Sequence, residues 1–339
     1  MGLTSFAEEE MVETLVRDAS TAPSMHNAQP WRFRYRRADH SIALRADFER
    51  AMPQSDPQMR ALHLGCGAAL FNLRVAAYHA GLQPVVRLLP DPDDRQTLAI
   101  VELTRAPKDL DHDLFGLYGA IAERRTNRYP FAERPIPTAL EHLLIDQARA
   151  EGSRLALLSG WHLALVLDLL EEAELKLEHQ GDPEERRWVR TGVTLSGTAG
   201  EPVDPDTILD GVPEYSFGPR RQDGRAPVRD FARGREETDR ESARFEHMPH
   251  LGLLYSDRDR PEDWLVAGQA MERVLLVATR EGLASSFATQ ALENTELRWL
   301  LRDPVWGAGP VQMVIRLGYG PLGSRTPRRP VRDVLDIVP

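Results

Sequence analysis

The stretch Leu64–Leu82, LGCGAALFNLRVAAYHAGL, is matched 201 positions later by Leu265–Leu283, LVAGQAMERVLLVATREGL. Identical pairs are Leu64/Leu265, Gly67/Gly268, Ala69/Ala270, Ala77/Ala278, Gly81/Gly282 and Leu82/Leu283. Apolar residues recur at helical spacing in both, no proline interrupts either, and both end in Gly-Leu, so each predicts a helix stopped by a glycine. A β-rich run follows each one, TLAIVELTR from Thr97 and VQMVIRLGY from Val311. A helix and then a strand precede each: EEEMVETLVRDAS and WRFRYRR in the first half, ALEHLLIDQARAE and SRLALLSG in the second. The repeated order predicts an α+β fold of two tandem modules, residues 1–115 and 116–339, whose sheets carry helices on one or both faces.

A chain of 339 residues has room for such a pair, and its bulk properties narrow the function classes. With 42% apolar and 28% charged residues, disordered and fibrous classes are excluded. Cys66 is the single cysteine, so an intrachain disulfide framework and a thiolate metal cluster are excluded too. No apolar run approaches the ~18 residues of a membrane span, and MGLTSFAEEE lacks a signal-peptide core, so a cytoplasmic protein without a membrane partner is expected. The net charge of −10 argues against non-specific nucleic-acid binding, which needs a basic surface. A local anion site is still open, because arginines cluster in ERRTNRYPF, FGPRRQDGR and RTPRRPVR.

The halves differ in what they add to the shared order. After its first helix, the first half carries Ala22-Pro23-Ser24-Met25-His26-Asn27-Ala28-Gln29-Pro30-Trp31, and the second half has no counterpart. The second half opens with Arg124-Arg125-Thr126-Asn127-Arg128-Tyr129-Pro130-Phe131, for which the first half has no room. It also contains a leucine-patterned helix candidate from Trp161 to His179, a second near DPEERRWVR, and an irregular charged insertion at about 212–250. Eleven of the twenty residues Arg225–Arg244 are Asp, Glu or Arg, so the insertion reads as disordered or as a functional lid, with a short helix expected at Glu236–Phe245.

APSMHNAQPW, RRTNRYPF with PIP following, REGLASSFATQ and the closing GYGPLGSRTPRRPVRDV together resemble the nitroreductase superfamily of FMN proteins, in the arrangement of its duplicated, Acg-like branch. The resemblance spans nearly the whole chain, and the PSxxNxQPW block is its most specific motif. It implies the nitroreductase-like FMN fold, here as an intramolecular pseudo-dimer in which one chain replaces two subunits. By the same resemblance, Arg124, Arg125, Thr126, Arg128 and the C-terminal Arg325, Arg328 and Arg329 hold the FMN phosphate. Planar, permanently charged guanidiniums suit a phosphate dianion, and the i, i+2, i+4 spacing of Arg124, Thr126 and Arg128 puts them on one side of an extended segment. Pro23, Ser24, Met25 and Asn27 are implied to lie over or beside the flavin ring, with Gln29 and Trp31 anchoring their loop to the next strand. Gly282, Phe287, Ala288, Thr289 and Gln290 fall where the family places a turn offering backbone N–H groups to the ring. The family's usual Pro-x-Glu-Gly is Phe-Ala-Thr-Gln here.

Only one complete set of these elements exists, so one FMN per chain and a monomer in solution are expected. The resemblance implies an oxidoreductase in which NAD(P)H or a bound substrate reduces FMN at N5 and a small-molecule acceptor reoxidises it, with no catalytic side chain required. The alternatives are an FMN storage protein closed by the insertion, and a tailoring enzyme acting on a bound metabolite. Rival motifs are weaker. Gly65-Cys66-Gly67-Ala68-Ala69-Leu70 sits inside a helical pattern without the third glycine of a dinucleotide fingerprint, and is read as helix packing. His247-Met248-Pro249-His250 lacks a partner at metal-ligand spacing, His26 is read as packed or exposed unless a substrate reaches it, and Cys66 as a small core residue.

Overall fold

Both copies of the repeated stretch form helices, Arg60–His79 and Pro261–Arg280, in a computed structural model of the chain. The structure describes residues 5–105, 112–180, 183–190, 208–232, 240–302 and 309–339. Each helix is followed by a glycine in the left-handed region, Gly81 (φ 76°) and Gly282 (φ 77°), where a side chain would be strained. The two helices pack against each other, and their identical glycines mark the crossing. A Cβ on Gly67 would lie 2.3 Å from the Leu265 carbonyl oxygen, and one on Gly268 would lie 2.2 Å from that of Leu64. These are the same pair of contacts read from either helix, so a local two-fold relation passes through the crossing.

The sheets share this relation. In the first half, Trp31–Arg36, Ser41–Ala46, Thr97–Arg105 and Leu82–Leu88 lie side by side in that order, all antiparallel. In the second half, Arg154–Leu157, His250–Tyr255, Val311–Gly318 and Ala284–Phe287 do the same. In chain order both sheets run first, second, fourth, third, with the long helix between the second and third strands. Val311–Gly318 is buried at every position, as a strand covered on both faces must be, whereas Trp31–Arg36 alternates around buried Trp31, Phe33 and Tyr35.

A fifth strand ties the halves together. Leu335–Val338, at the end of the second half, pairs in parallel with Trp31–Arg36, placing Phe33 opposite Leu335. The boundary near residue 115 therefore does not separate two self-contained sheets. Among the described residues the remaining α-helices are Ser5–Ala19, Thr138–Ala150, Gly160–Gln180 and the short His112–Phe115, Tyr118–Glu123, Pro183–Trp188, Thr295–Leu300 and Val331–Val334. Among the described residues no helix is long and apolar enough to cross a membrane.

The insertion separates the first two strands of the second sheet. Of the helix expected at Glu236–Phe245, residues 236–239 lie outside the described residues, and Ser242–Arg244 is a strand, parallel to Arg220–Asp223. That segment has no apolar stripe for a helix to bury, and the neighbouring strand satisfies its backbone instead. The described parts of the insertion are packed rather than loose. Glu246 accepts from buried Arg316 and, at 3.0 Å, from the Phe131 backbone N–H, while Val212, Phe217 and Phe231 form an apolar cluster.

Candidate functional site

The loop after the first helix is held in an uncommon backbone shape. His26, Asn27 and Gln29 have φ of 48°, 55° and 53°, the left-handed region that side chains other than glycine enter at a cost. Specific bonds hold it there. Ser24 Oγ accepts from the Gln29 backbone N–H at 2.9 Å, and Asn27 Nδ2 donates to the carbonyls of Gly211 at 2.9 Å and Pro327 at 3.0 Å. Gln29, fully buried, donates to the Leu209 carbonyl and accepts from the Arg329 backbone N–H at 2.8 Å. Gly65 lets the loop approach the long helix, because a Cβ there would meet Ser24 Cβ at 3.2 Å. Gln29 thus ties the loop to Leu209 and the C-terminal segment, while buried Trp31 opens the following strand, and the glycines of the rival fingerprint serve packing.

The loop forms one wall of a cleft of about 1050 Å³, its open mouth included. Pro23, Ser24, Met25, His26 and Asn27 line it together with Arg124, Thr126, Arg128, Phe287, Thr289 and Arg328, residues from both halves. Of the other expected site residues, Arg125, Gln29, Ala288, Gln290, Arg325 and Arg329 stand outside its lining. Arg125 donates to the Arg124 carbonyl at 2.7 Å, and Arg325 is exposed. Arg329 is spent on structure, donating to Asp47 at 3.3 Å and to the Asp333 carbonyl at 3.1 Å. The Ala288 N–H is bonded to the Val314 carbonyl at 3.1 Å, continuing the sheet, so it cannot also serve a ligand. Buried Gln290 turns away and donates to Glu174 at 3.0 Å.

The arginines flanking Thr126 also part company. Arg124 is buried beside Glu272, donates to the Thr21 carbonyl at 3.1 Å, and has Nε and Nη1 without a hydrogen-bond partner. Arg328 donates to Asn27 Oδ1 at 2.9 Å and to the Thr21 carbonyl at 2.7 Å, and its buried Nε has no partner. Burial, reinforced by Arg124, lowers the Arg328 guanidinium to about 9. Arg128 faces the other way. It donates to the Ser216 carbonyl at 3.0 Å and lies 5.0 Å from the centre of the Phe231 ring, with burial and nearby Arg229 lowering it to about 10.

Two residues of the insertion, Arg229 and Phe231, complete this end of the cleft. Burial works against the Arg229 charge, but Glu293 and Glu185 more than offset it and hold its pKa above the ordinary value. His26 meets Phe231 edge to face at 5.8 Å, and its buried Nε2 has no hydrogen-bond partner. Burial first, and the charges of Arg229 and Arg128 second, push its pKa well below the ordinary value, so the imidazole is neutral at pH 7. Arg60, Met271, Met313 and Thr326 also line the cleft. Nothing in their local sequence separates them from ordinary helix, strand and tail residues. Arg229 and Phe231 lie in the charged insertion, whose composition marked it as disordered or a lid without singling out either residue.

Elsewhere the weaker motifs stay structural. His250 contacts the Arg134 carbonyl at 3.0 Å, and no group of His, Cys, Asp or Glu that could hold a metal occurs among the described residues. Cys66 is buried with Sγ 3.3 Å from the Pro30 carbonyl, and burial raises its pKa.

Comparison with known proteins places the chain in a family. The Nitroreductase family model matches residues 121–319. A Mycobacterium tuberculosis protein named as an NAD(P)H nitroreductase is 32% identical over 340 residues, covering 98% of this chain and 93% of that one. Another from the same organism, the NAD(P)H nitroreductase Acg, is 30% identical over 338 residues, covering 97% and 96%. A solved nitroreductase structure from Anabaena variabilis superposes with a TM-score of 0.48 at 11% identity, covering 95% of this chain and 90% of its own. With more than half the chain matched by the family model and relatives aligned from end to end, the protein belongs to the nitroreductase family.

Proposed function

We propose that the protein is an FMN-dependent oxidoreductase that holds one FMN between its two halves, takes electrons from NAD(P)H and passes them to a small-molecule acceptor. One observation carries the reading. Arg124 and Arg328, from opposite ends of the second half, present buried, unpartnered N–H groups in the same cleft as the Pro23–Asn27 loop of the first half. Buried donors without acceptors are costly, and an anion is the partner that best offsets the cost. A phosphate monoester fits this set, with Thr126 and Thr326 beside the two guanidiniums. The names of the Mycobacterium tuberculosis relatives support NAD(P)H as donor.

When bound, FMN supplies a redox centre that accepts hydride equivalents and releases electrons to an acceptor. The chain binds and orients it. Arg124 and Arg328 fix the phosphate end, and Met25, Met271, Met313 and Phe287 give apolar walls for a flat ring. Arg128 places a positive charge at the far end, where a ring that gains electrons is stabilised. Arg229 and Phe231 narrow access of water from the insertion side. That roof favours a second reading, in which the same site stores FMN without turnover.

Titration of the apoprotein with FMN, followed by the visible flavin band, is expected to saturate at one equivalent, and saturation at two would overturn the single-site reading. Anaerobic NADH or NADPH is then expected to bleach the band, with recovery on adding an acceptor. Failure of both donors, reversed by deleting residues 220–245, would favour storage.

A further inference from the structure

Behind the Arg124 end of the cleft lies a carboxylate with no role so far. Glu272, on helix Pro261–Arg280, is fully buried, and its Oε1 stands 3.4 Å from Arg124 Nε. Arg328 from the C-terminal segment and Asn72 from helix Arg60–His79 also face it. Arg125 and Tyr215 face Arg328 in turn. Its neighbour Arg273 is engaged elsewhere, at 2.6 Å by Gln147 and 2.8 Å by Glu151. Two guanidiniums that line the cleft and one carboxylate behind them are therefore held together. Arg125 and exposed Arg325 stand outside the cleft, where water screens them more strongly.

We infer that Glu272 takes up one proton from solvent when a phosphate monoester seats on Arg124 and Arg328, so that the phosphate replaces the carboxylate as the counter-charge of Arg124. This deepens the FMN reading and rests on it. A phosphate dianion beside a buried carboxylate adds like-charge repulsion in a medium of low dielectric, and protonation of the carboxylate, which loses its counter-charge to the phosphate while its burial persists, relieves it. The free site is already poised for this, because burial outweighs Arg124, Asn72 and Arg328 and holds Glu272 above the usual carboxylate value. The loaded site raises it further. FMN affinity is therefore highest below the free-site pKa and weakens as pH rises through the window up to the loaded pKa, by at most about tenfold per pH unit for one proton.

Isothermal titration calorimetry of the apoprotein with FMN, in buffers of matched pH and different ionisation heat, reads the protons taken up. The second ionisation of the phosphate, near a pKa of about 6, contributes to both wild type and Glu272→Gln and cancels in their difference. At pH above the second ionisation of the phosphate, the wild type is expected to take up as much as one proton more per FMN than Glu272→Gln, whose Kd varies less with pH. Riboflavin, lacking the phosphate, is expected to bind the wild type with no such uptake. Equal uptake in wild type and variant would overturn the inference. Should Glu272→Gln fail to fold, equal uptake with FMN and riboflavin by the wild type, after allowing for the phosphate's own ionisation, overturns it as well. Absence of FMN binding would remove the FMN reading and this inference with it, an outcome distinct from binding without proton uptake.

Discussion

The cleft and the place related to it by the local two-fold show how frameworks of the same strand order come to carry different surroundings. On the cleft side, the helix carries Gly65 and the loop carries Ser24, whose Cβ would sit 3.2 Å from a Cβ on that glycine. On the other side the roles are exchanged. The residue 201 positions on is Val266, and its Cγ1 would stand 3.4 Å from a Cβ on Gly152, in the loop after helix Thr138–Ala150. The first arrangement seats a long polar loop on a helix; the second fills the same interval with a side chain. Nearby, Arg74 and Arg273, one from each long helix, both pair with Glu151, whereas Arg124, beside Glu272, and Arg328 keep N–H groups without a hydrogen-bond partner. Strand order and helix crossing are shared, so the added segments and their side chains, rather than the common framework, set the two sides apart.

The crossing itself gives the largest expected effect. Gly67→Leu would drive a side chain into the Leu265 carbonyl, and should destabilise the fold by about 3 kcal/mol or more, read as a fall in Tm or loss of soluble protein. An unchanged Tm would show that the halves do not depend on this contact. Removing a phosphate ligand comes next. Arg328→Met should weaken FMN binding about 10- to 100-fold in a fluorescence titration, the cost of one or two charge-assisted hydrogen bonds. Wild-type affinity in this variant would place the anion elsewhere.

Gly65→Val copies the filled side onto the receptive one. It should displace Ser24 and weaken FMN binding by about 1 to 3 kcal/mol, with a smaller change in Tm than Gly67→Leu. The reverse exchange, Val266→Gly, should lower stability by only about 1 kcal/mol and leave the FMN stoichiometry at one. A second equivalent bound by this variant would mean that one side chain alone closes the related site.

Some of this could be read without coordinates. The repeat, its glycine stops, the α+β class and the Pro23–Asn27 loop are local or periodic signals, set by backbone freedom and apolar spacing within short windows. Arginine clustering pointed to an anion site, and Arg124, Thr126, Arg128 and Arg328 do line the cleft. The division of labour among those arginines was not readable. Whether a guanidinium is free for a ligand depends on which acceptors the fold brings near it: Asp47 and the Asp333 carbonyl for Arg329, the Arg124 carbonyl for Arg125, the Ser216 carbonyl for Arg128. The same holds for Ala288, whose N–H the neighbouring strand consumes, and for Ser242–Arg244, where a partner strand replaces the expected helix. The sequence by itself determined the α+β class, the glycine-stopped helices and the residue types available for binding. Only the tertiary structure decided which side chains are left unsatisfied in one cleft, because hydrogen-bond saturation is settled by neighbours up to some 300 residues apart, as between Asn27 and Pro327.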